Sequence, residues 1–238
     1  MLLDERGFRQ RCRKCVYVRW RTMSTPARRR PGRPRKLPQE ELRALVLRAA
    51  RKMFAAHGQH AATIEQIARE AGVSRQNVYE HFGDRAVLFA AVVAEVEELA
   101  VAWMGAQALG NTEPDLRVWA RANFAAMFDF VEEHPDGLPV LEEAERGGDP
   151  AMTRVRSQLA GLYTEASKKR WAAYGIEPGR TDTALAAMYI AMTEALVNLT
   201  GDGEPPDREA LIDLLTEFTI GGVLRLYQHG TGIIDRLR

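Results

Sequence analysis

The sequence predicts an all-α fold in which a helix-turn-helix near the N-terminus precedes a longer helical body. Three observations carry this. Apolar residues recur at helical spacing from residue 38 onward, Pro/Gly/Asp clusters such as His134-Pro-Asp-Gly and Gly201-Asp-Gly-Glu-Pro-Pro punctuate them, and residues 63–82 read as two short helices hinged at Ala71-Gly72-Val73. Nothing reads as a sheet.

The chain opens on a segment set apart by charge. Residues 1–36 hold thirteen Lys/Arg against two acids, and residues 37–238 hold twenty against thirty, so the formal net charge of +1 conceals a basic arm on an acidic body. Such an arm is attracted to phosphate, while the acidic body limits non-specific adhesion. A membrane-surface arm fits less well, because residues 24–36 lack the apolar stripe of an interfacial helix. The stretch Arg28–Lys36 is broken by Pro and is expected to be disordered until it meets DNA. Its Gly32-Arg33-Pro34 core, followed by Arg35, resembles an AT-hook, which lies in narrow A·T minor grooves. Pro31 stands where the fuller hook pattern has Arg, and a solubilising or targeting tail is the alternative.

Residues 1–22 carry Cys12 and Cys15, half of a zinc site with no second Cys pair in the chain, and no βαβ pattern surrounds them for redox work. Met23 begins Met-Ser-Thr-Pro, so residues 1–22 are expected to derive from an early start codon; N-terminal mass spectrometry on native protein tests this. The segment lacks the apolar core of a signal peptide, and no run of about twenty apolar residues follows, so a cytoplasmic protein without a membrane partner is expected.

Pro38, with Glu40 and Glu41, starts a helix whose stripe runs through Leu42, Leu45, Val46, Ala49, Met53 and Phe54 and is expected to stop at Gly58. Thr63 then caps the next helix, with Gln66 placed to return the bond and Ile64, Ile67 and Ala68 to be buried. Gly72 supplies the positive φ of a tight turn. Ser74 caps the following helix, on which Val78 and Phe82 point inward while Arg75, Gln76, Asn77 and Tyr79 face out. Arg suits guanine edges, Gln and Asn suit adenine edges, and Tyr79 can donate to phosphate, so the outward face fits the reading helix of a DNA binder. A solvated face on an ordinary helical hairpin is the bland alternative. Gly83 closes this helix and Asp84 caps a long one through Leu88, Val92, Val96 and Leu99 to about Leu109; further helices are expected over about 115–134, 138–146, 150–174, 180–200 and 207–229.

The pattern Thr63…Ile67-Ala68…Ala71-Gly72-Val73-Ser74…Val78-Tyr79…His81-Phe82…Asp84-Arg85…Leu88 resembles the N-terminal motif of TetR-type transcriptional regulators, over about residues 39–89. The resemblance implies a three-helix DNA-binding domain (residues 37–83) after the arm (1–36), then a larger helical ligand-binding and dimerisation domain (84–238). It implies binding to double-stranded operator DNA as a homodimer, with repression relieved by a small-molecule effector of unknown identity, and no cofactor. Residues 74–81 would be the recognition helix; Thr63, Tyr79, His81 and Arg85 would face phosphate. Arg85 stands where the family usually has Lys, which changes the geometry of that contact. Regulators of this kind pair through their last two long helices, where Ala184, Leu185, Met188, Met192, Leu196, Leu199, Leu211, Leu214, Leu215, Phe218, Val223, Leu224 and Tyr227 offer apolar positions for core and interface.

Trp119, Phe124, Met127, Phe128, Tyr163, Trp171, Tyr174, Met188 and Met192 are large, adaptable side chains of the sort that line apolar cavities. Of these, Trp119, Met127, Phe128, Tyr163, Met188 and Met192 are expected at an effector site, with Asn123 or Asn198 orienting the ligand. Core packing accounts for the same residues equally simply. Catalysis is not expected: His57 and His60 straddle the Gly58 break, Glu142, Glu143 and Glu145 beside Arg146 read as a solvated helix face, and neither a Gly-rich phosphate cradle nor a Cys beyond residue 15 is present. The remaining alternative is an architectural minor-groove binder without an effector.

Overall fold

Local capping rules account for where half of the described helices begin. The computed structural model describes residues 38–173, 180–199, 206–229 and 232–237; the expectations for Arg33, Arg35 and the rest of the arm, for the Trp171 side chain and for Tyr174 lie outside the described residues. Among the described residues there are ten helices and no strand: α1 (Gln39–Ala61), α2 (Ile64–Ala71), α3 (Arg75–Phe82), α4 (Arg85–Gly110), α5 (Leu116–Glu133), α6 (Gly137–Arg146), α7 (Ala151–Ala173), α8 (Arg180–Val197), α9 (Arg208–Gln228) and α10 (Gly232–Leu237). Thr63, Ser74, Asp84, Asp115 and Asp207 each accept a backbone N–H at the start of the helix they precede. The all-α class expected from the sequence is the class observed.

Two elements differ from expectation. The regular path of α1 breaks at Gly58 as expected, at φ 77° and ψ 167°, but a further turn resumes beyond it before Ala62. Glycine tolerates that backbone where a Cβ would not. The short α10 is the second, since so few residues give no strong periodic signal.

Helix α4 is the axis of the fold. At 26 residues it is about 39 Å long, and it packs against α1 and α3 near its start and against α5, α6 and α7 further along. Phe54 of α1 and Phe89 of α4, both buried, meet edge to face with ring centroids 5.0 Å apart. Deeper along α4, Val92, Val93, Val96, Ala100 and Met104 continue the core into the body. Gly105 permits the approach of α7, since a Cβ there would lie 2.9 Å from Leu162 Cδ1. On the surface, α5 and α9 are laced by Arg121 to Glu209 and Asp213, by Arg117 to Glu217, and by Arg208 to Asp129 and Glu132. Such exposed pairs fix register more than they add stability.

Candidate nucleic-acid interface and internal cavity

The reading pair is built from its caps. Thr63 Oγ1 accepts the Gln66 N–H at 3.2 Å while Gln66 Oε1 accepts the Thr63 N–H at 2.8 Å, a closed capping box. Gly72 sits at φ 69°, and the Val73 N–H returns to Ala68 O at 2.9 Å, which fixes the turn. Ser74 Oγ then accepts the Asn77 N–H at 3.1 Å and starts α3. Val78 and Phe82 are buried beneath α3, and Arg43 of α1 lies 4.9 Å from the centre of the Phe82 ring. Ile64, Ile67 and Ala68 anchor α2 in the same core.

Arg75, Gln76 and Tyr79 project to solvent from α3, with Asn77 half-buried. Two acids outside the expected set hold the outermost pair: Glu65 Oε2 lies 3.3 Å from Arg75 Nη1, and Glu80 Oε1 accepts from Gln76 Nε2 at 2.8 Å. Glu80 follows from the i, i+4 rule, whereas Glu65 is on the other helix and carries no local signal. These exposed contacts are weak.

The expected phosphate contacts are arranged less uniformly. Thr63 and Tyr79 are exposed. His81 is half-buried with its Nε2 enclosed and without a hydrogen-bond partner, so a phosphate contact from that nitrogen requires the ring to turn. Arg85 is committed inward, donating from Nη1 to His60 O at 2.8 Å and to Ala62 O at 3.4 Å. Its guanidinium caps the C-terminal carbonyls of α1, because the chain brings those carbonyls against the first turn of α4.

The residues expected around an effector do not share one cavity. Trp119 and Tyr163 line a cavity of about 60 Å³ between α5, α7, α8 and α9, together with Asp182, Leu185, Ala186 and Tyr189 of α8. Met127 lines a second, of about 30 Å³, with Met104, Leu138 and Leu141. Phe128 is core. Met188 and Met192 lie instead on an outer groove with Phe218 and Gly222, and Met188 is 56% exposed. Helical phase turns Met188 away from the inner face shared by positions 182, 185, 186 and 189, whereas Met192 stands a heptad beyond Leu185, which borders both spaces. The same phase identifies Tyr189 as a wall residue. Asn123 is buried, donating to Trp119 O at 2.7 Å and leaving its Oδ1 without a partner. Asn198 is exposed and meets Glu142 at 3.4 Å.

The cavity at Trp119 and Tyr163 has aromatic walls, with unmet polar atoms on its lining residues. Tyr189 stacks on Phe124 at 4.4 Å and tilts against Tyr163 at 4.8 Å. Burial pushes the Tyr163 phenol up to about 12 and raises Tyr189 well above its ordinary value. Trp119 Nε1 and Thr219 Oγ1 are enclosed without hydrogen-bond partners. Arg170 lies 4.4 Å from the centre of the Trp119 ring and donates to Ala166 O and Asn111 O. Desolvation lowers its pKa.

Comparison with known proteins points to one family. Residues 46–92 match the family model of bacterial regulatory proteins, tetR family. Over 197 residues, 80% of this chain and 87% of the relative, the sequence is 28% identical to the HTH-type transcriptional activator FasR of Mycolicibacterium smegmatis. The similarity is to the TetR family, and it is carried by the reading head. Other TetR-type relatives match through the reading head alone: the HTH-type transcriptional regulator SrpR of Pseudomonas putida is 46% identical over 55 residues, 23% of this chain and 26% of its own length. The HTH-type transcriptional repressor AcnR of Corynebacterium efficiens is 40% identical over 50 residues, 21% of this chain and 27% of its own length. In fold, the chain is similar to a TetR-like transcriptional regulator from a Rhodococcus species, with TM-score 0.61 at 24% identity, covering 79% of this chain and 98% of that one. It is also similar to a tetR-family regulator of Streptomyces coelicolor, with TM-score 0.62 at 19% identity over 84% and 89%. The relatives matched in this way are DNA-binding transcription regulators.

Proposed function

We propose that this regulator binds a pseudo-palindromic operator as a homodimer and is a repressor released by an apolar or amphipathic small molecule. Arg75, Gln76 and Asn77 read base edges, and Ser74, Thr63 and Tyr79 position the helix on phosphate. Arg33 and Arg35 of the arm extend the contact into the adjacent minor groove. Residues 37–83 act as the reader and residues 84–238 as the effector-binding and dimerisation body.

The observation that carries the effector reading is the cavity between α5, α7, α8 and α9, whose lining includes Trp119 and Thr219, with Nε1 and Oγ1 enclosed and without hydrogen-bond partners. A buried donor without a partner costs about 1–3 kcal/mol, and a ligand with matching polar atoms recovers that. At about 60 Å³ the space is well below the roughly 300–1,000 Å³ typical of ligand pockets. Binding therefore favours a form with these helices spread apart, which is the differential affinity that a ligand needs in order to shift an equilibrium.

Dimerisation is supported by the outer faces of α8 and α9. Met188, Leu214 and Phe218 are more than half exposed, and Gly221 and Gly222 beside Phe218 have open space where a Cβ would stand. Each helical glycine costs about 1 kcal/mol relative to Ala, and close approach of a partner helix offsets that cost.

Thermal-shift screening of a metabolite panel, followed by operator release with each stabilising compound, tests the effector reading. Stabilisers that leave the operator complex intact contradict it. Activation is a second reading, favoured by the relative that matches most of this chain, a transcriptional activator. In vitro transcription from a template carrying the operator separates the two: transcript falls with added protein for a repressor and rises for an activator.

A further inference from the structure

The acidic run on α6, which reads from sequence as a solvated face, is only partly solvated. Glu143 is turned inward, and its Oε1 accepts the backbone N–H of Gln59 at 2.8 Å, 84 residues away in the chain. Its Oε2 meets Arg146 Nη2 at 3.0 Å. The carboxyl is held below its ordinary pKa chiefly by the Gln59 backbone bond, with smaller help from Arg146 and His60 against the opposing effect of burial. The neighbouring Gly58 is the non-helical residue of α1, and a Cβ there would lie 2.8 Å from Glu143 Oε1. The missing side chain at residue 58 is thus what lets the carboxylate reach the next amide.

The last turn of α1 is held from two directions, by Glu143 of α6 and by Arg85 of α4 through His60 O and Ala62 O. That turn leads directly into Thr63, the cap of α2. Helix α6 is in turn tied to the body: Arg156 of α7 lies 2.7 Å from Glu194 of α8 and 3.8 Å from Glu145 of α6. Leu138 and Leu141 of α6 also line the second internal cavity.

We propose that Glu143 is the positioning residue that sets the pose of the reading pair on the body, its carboxylate capping the α1 break so that α6 and the start of α2 move together. A carboxylate on a backbone N–H is among the stronger hydrogen bonds, and the glycine beside it is the point where α1 bends most freely. In a dimer the pose of each reader fixes the separation of the two, so Glu143 governs which half-site spacing is accepted. This inference rests on the dimeric reading above.

The test selects duplexes with randomised half-sites and spacers, using the full-length wild type and the variants E143A, E143D and E143Q, each confirmed folded by thermal melting and dimeric by light scattering. Spacing preference is the affinity ratio between the best duplex and those with one base pair added or removed. E143A is expected to lose about tenfold of that ratio, and E143Q, whose Oε1 still accepts, to stay within about threefold of wild type. E143D keeps the charge but shortens the reach, and is expected to behave like E143A; it carries the test if E143A does not fold. Folded E143A or E143D with wild-type spacing preference overturns the proposal, as does an E143Q loss equal to that of alanine. Hydrogen exchange at the Gln59 amide distinguishes the two failures. A wild type that selects no spaced pair removes the dimeric reading, whereas a Gln59 amide that exchanges equally fast in wild type and E143A removes the cap itself.

Discussion

Phe54 of α1 and Phe89 of α4 meet edge to face at 5.0 Å, and this contact joins the first helix of the reader to the axis of the body. Both rings are buried, Phe54 completely. F54A is expected to lose about 3–5 kcal/mol of stability through transfer and cavity terms. Chemical denaturation checks this. A loss below about 1 kcal/mol, the range of a surface change, would contradict the packing described.

Base readout is expected to reside in Arg75 and Gln76, whose side chains project from α3. R75A or Q76A should reduce discrimination between operator and scrambled duplex by about 1–3 kcal/mol for each bidentate base pairing removed. R33A should instead weaken binding to both duplexes and lower the salt slope by about one unit. Competition binding at several salt concentrations measures both effects. Equal losses on all sequences for the α3 variants would contradict base reading.

The buried phenols give the fold an alkaline limit. Tyr163 ionises at about 12 when folded against 10.0 ordinarily, so between those values the unfolded chain releases a proton that the folded chain retains. Stability is therefore full below pH 10 and falls as pH rises toward 12, and Tyr189, shifted in the same direction, steepens the fall. Y163F is expected to flatten the profile over that range. Denaturation midpoints at pH 9, 10 and 11 test it, and parallel profiles for wild type and variant would contradict the burial.

On the outer face of α9, Phe218 is 65% exposed beside Gly221 and Gly222. F218E would place a charge in the proposed interface with little effect on the protomer core. Light scattering is expected to show mainly monomer for this variant at micromolar concentration and a dimer for wild type. A dimeric F218E with unchanged affinity would move the interface elsewhere.

The reading head is legible in the sequence because its signals are local. The Thr63–Gln66 box, the positive φ of Gly72 and the inward Val78 and Phe82 each follow from a few neighbouring residues. Interactions that depend on long-range packing are not legible: Arg85 turning to His60 O, Glu65 reaching Arg75, and Glu143 capping Gln59 each join residues from different helices. The effector residues are half legible. Trp119 and Tyr163 line the cavity, whereas Met188 fits by side-chain type but not by helical phase, Met192 lies beyond the cavity along α8, and Tyr189 emerges only from the phase. Side-chain chemistry identifies what could line a cavity; phase and crossing geometry determine what does.

Selection of bound duplexes from a fully random library, followed by footprinting of the winners, tests the central claim most directly. The expected result is two inverted half-sites with centres about 34 Å apart, one turn of DNA, protected together in wild type and both unprotected in R75A. Recovery of a single half-site, or of A·T-rich DNA with no inverted repeat, would contradict it.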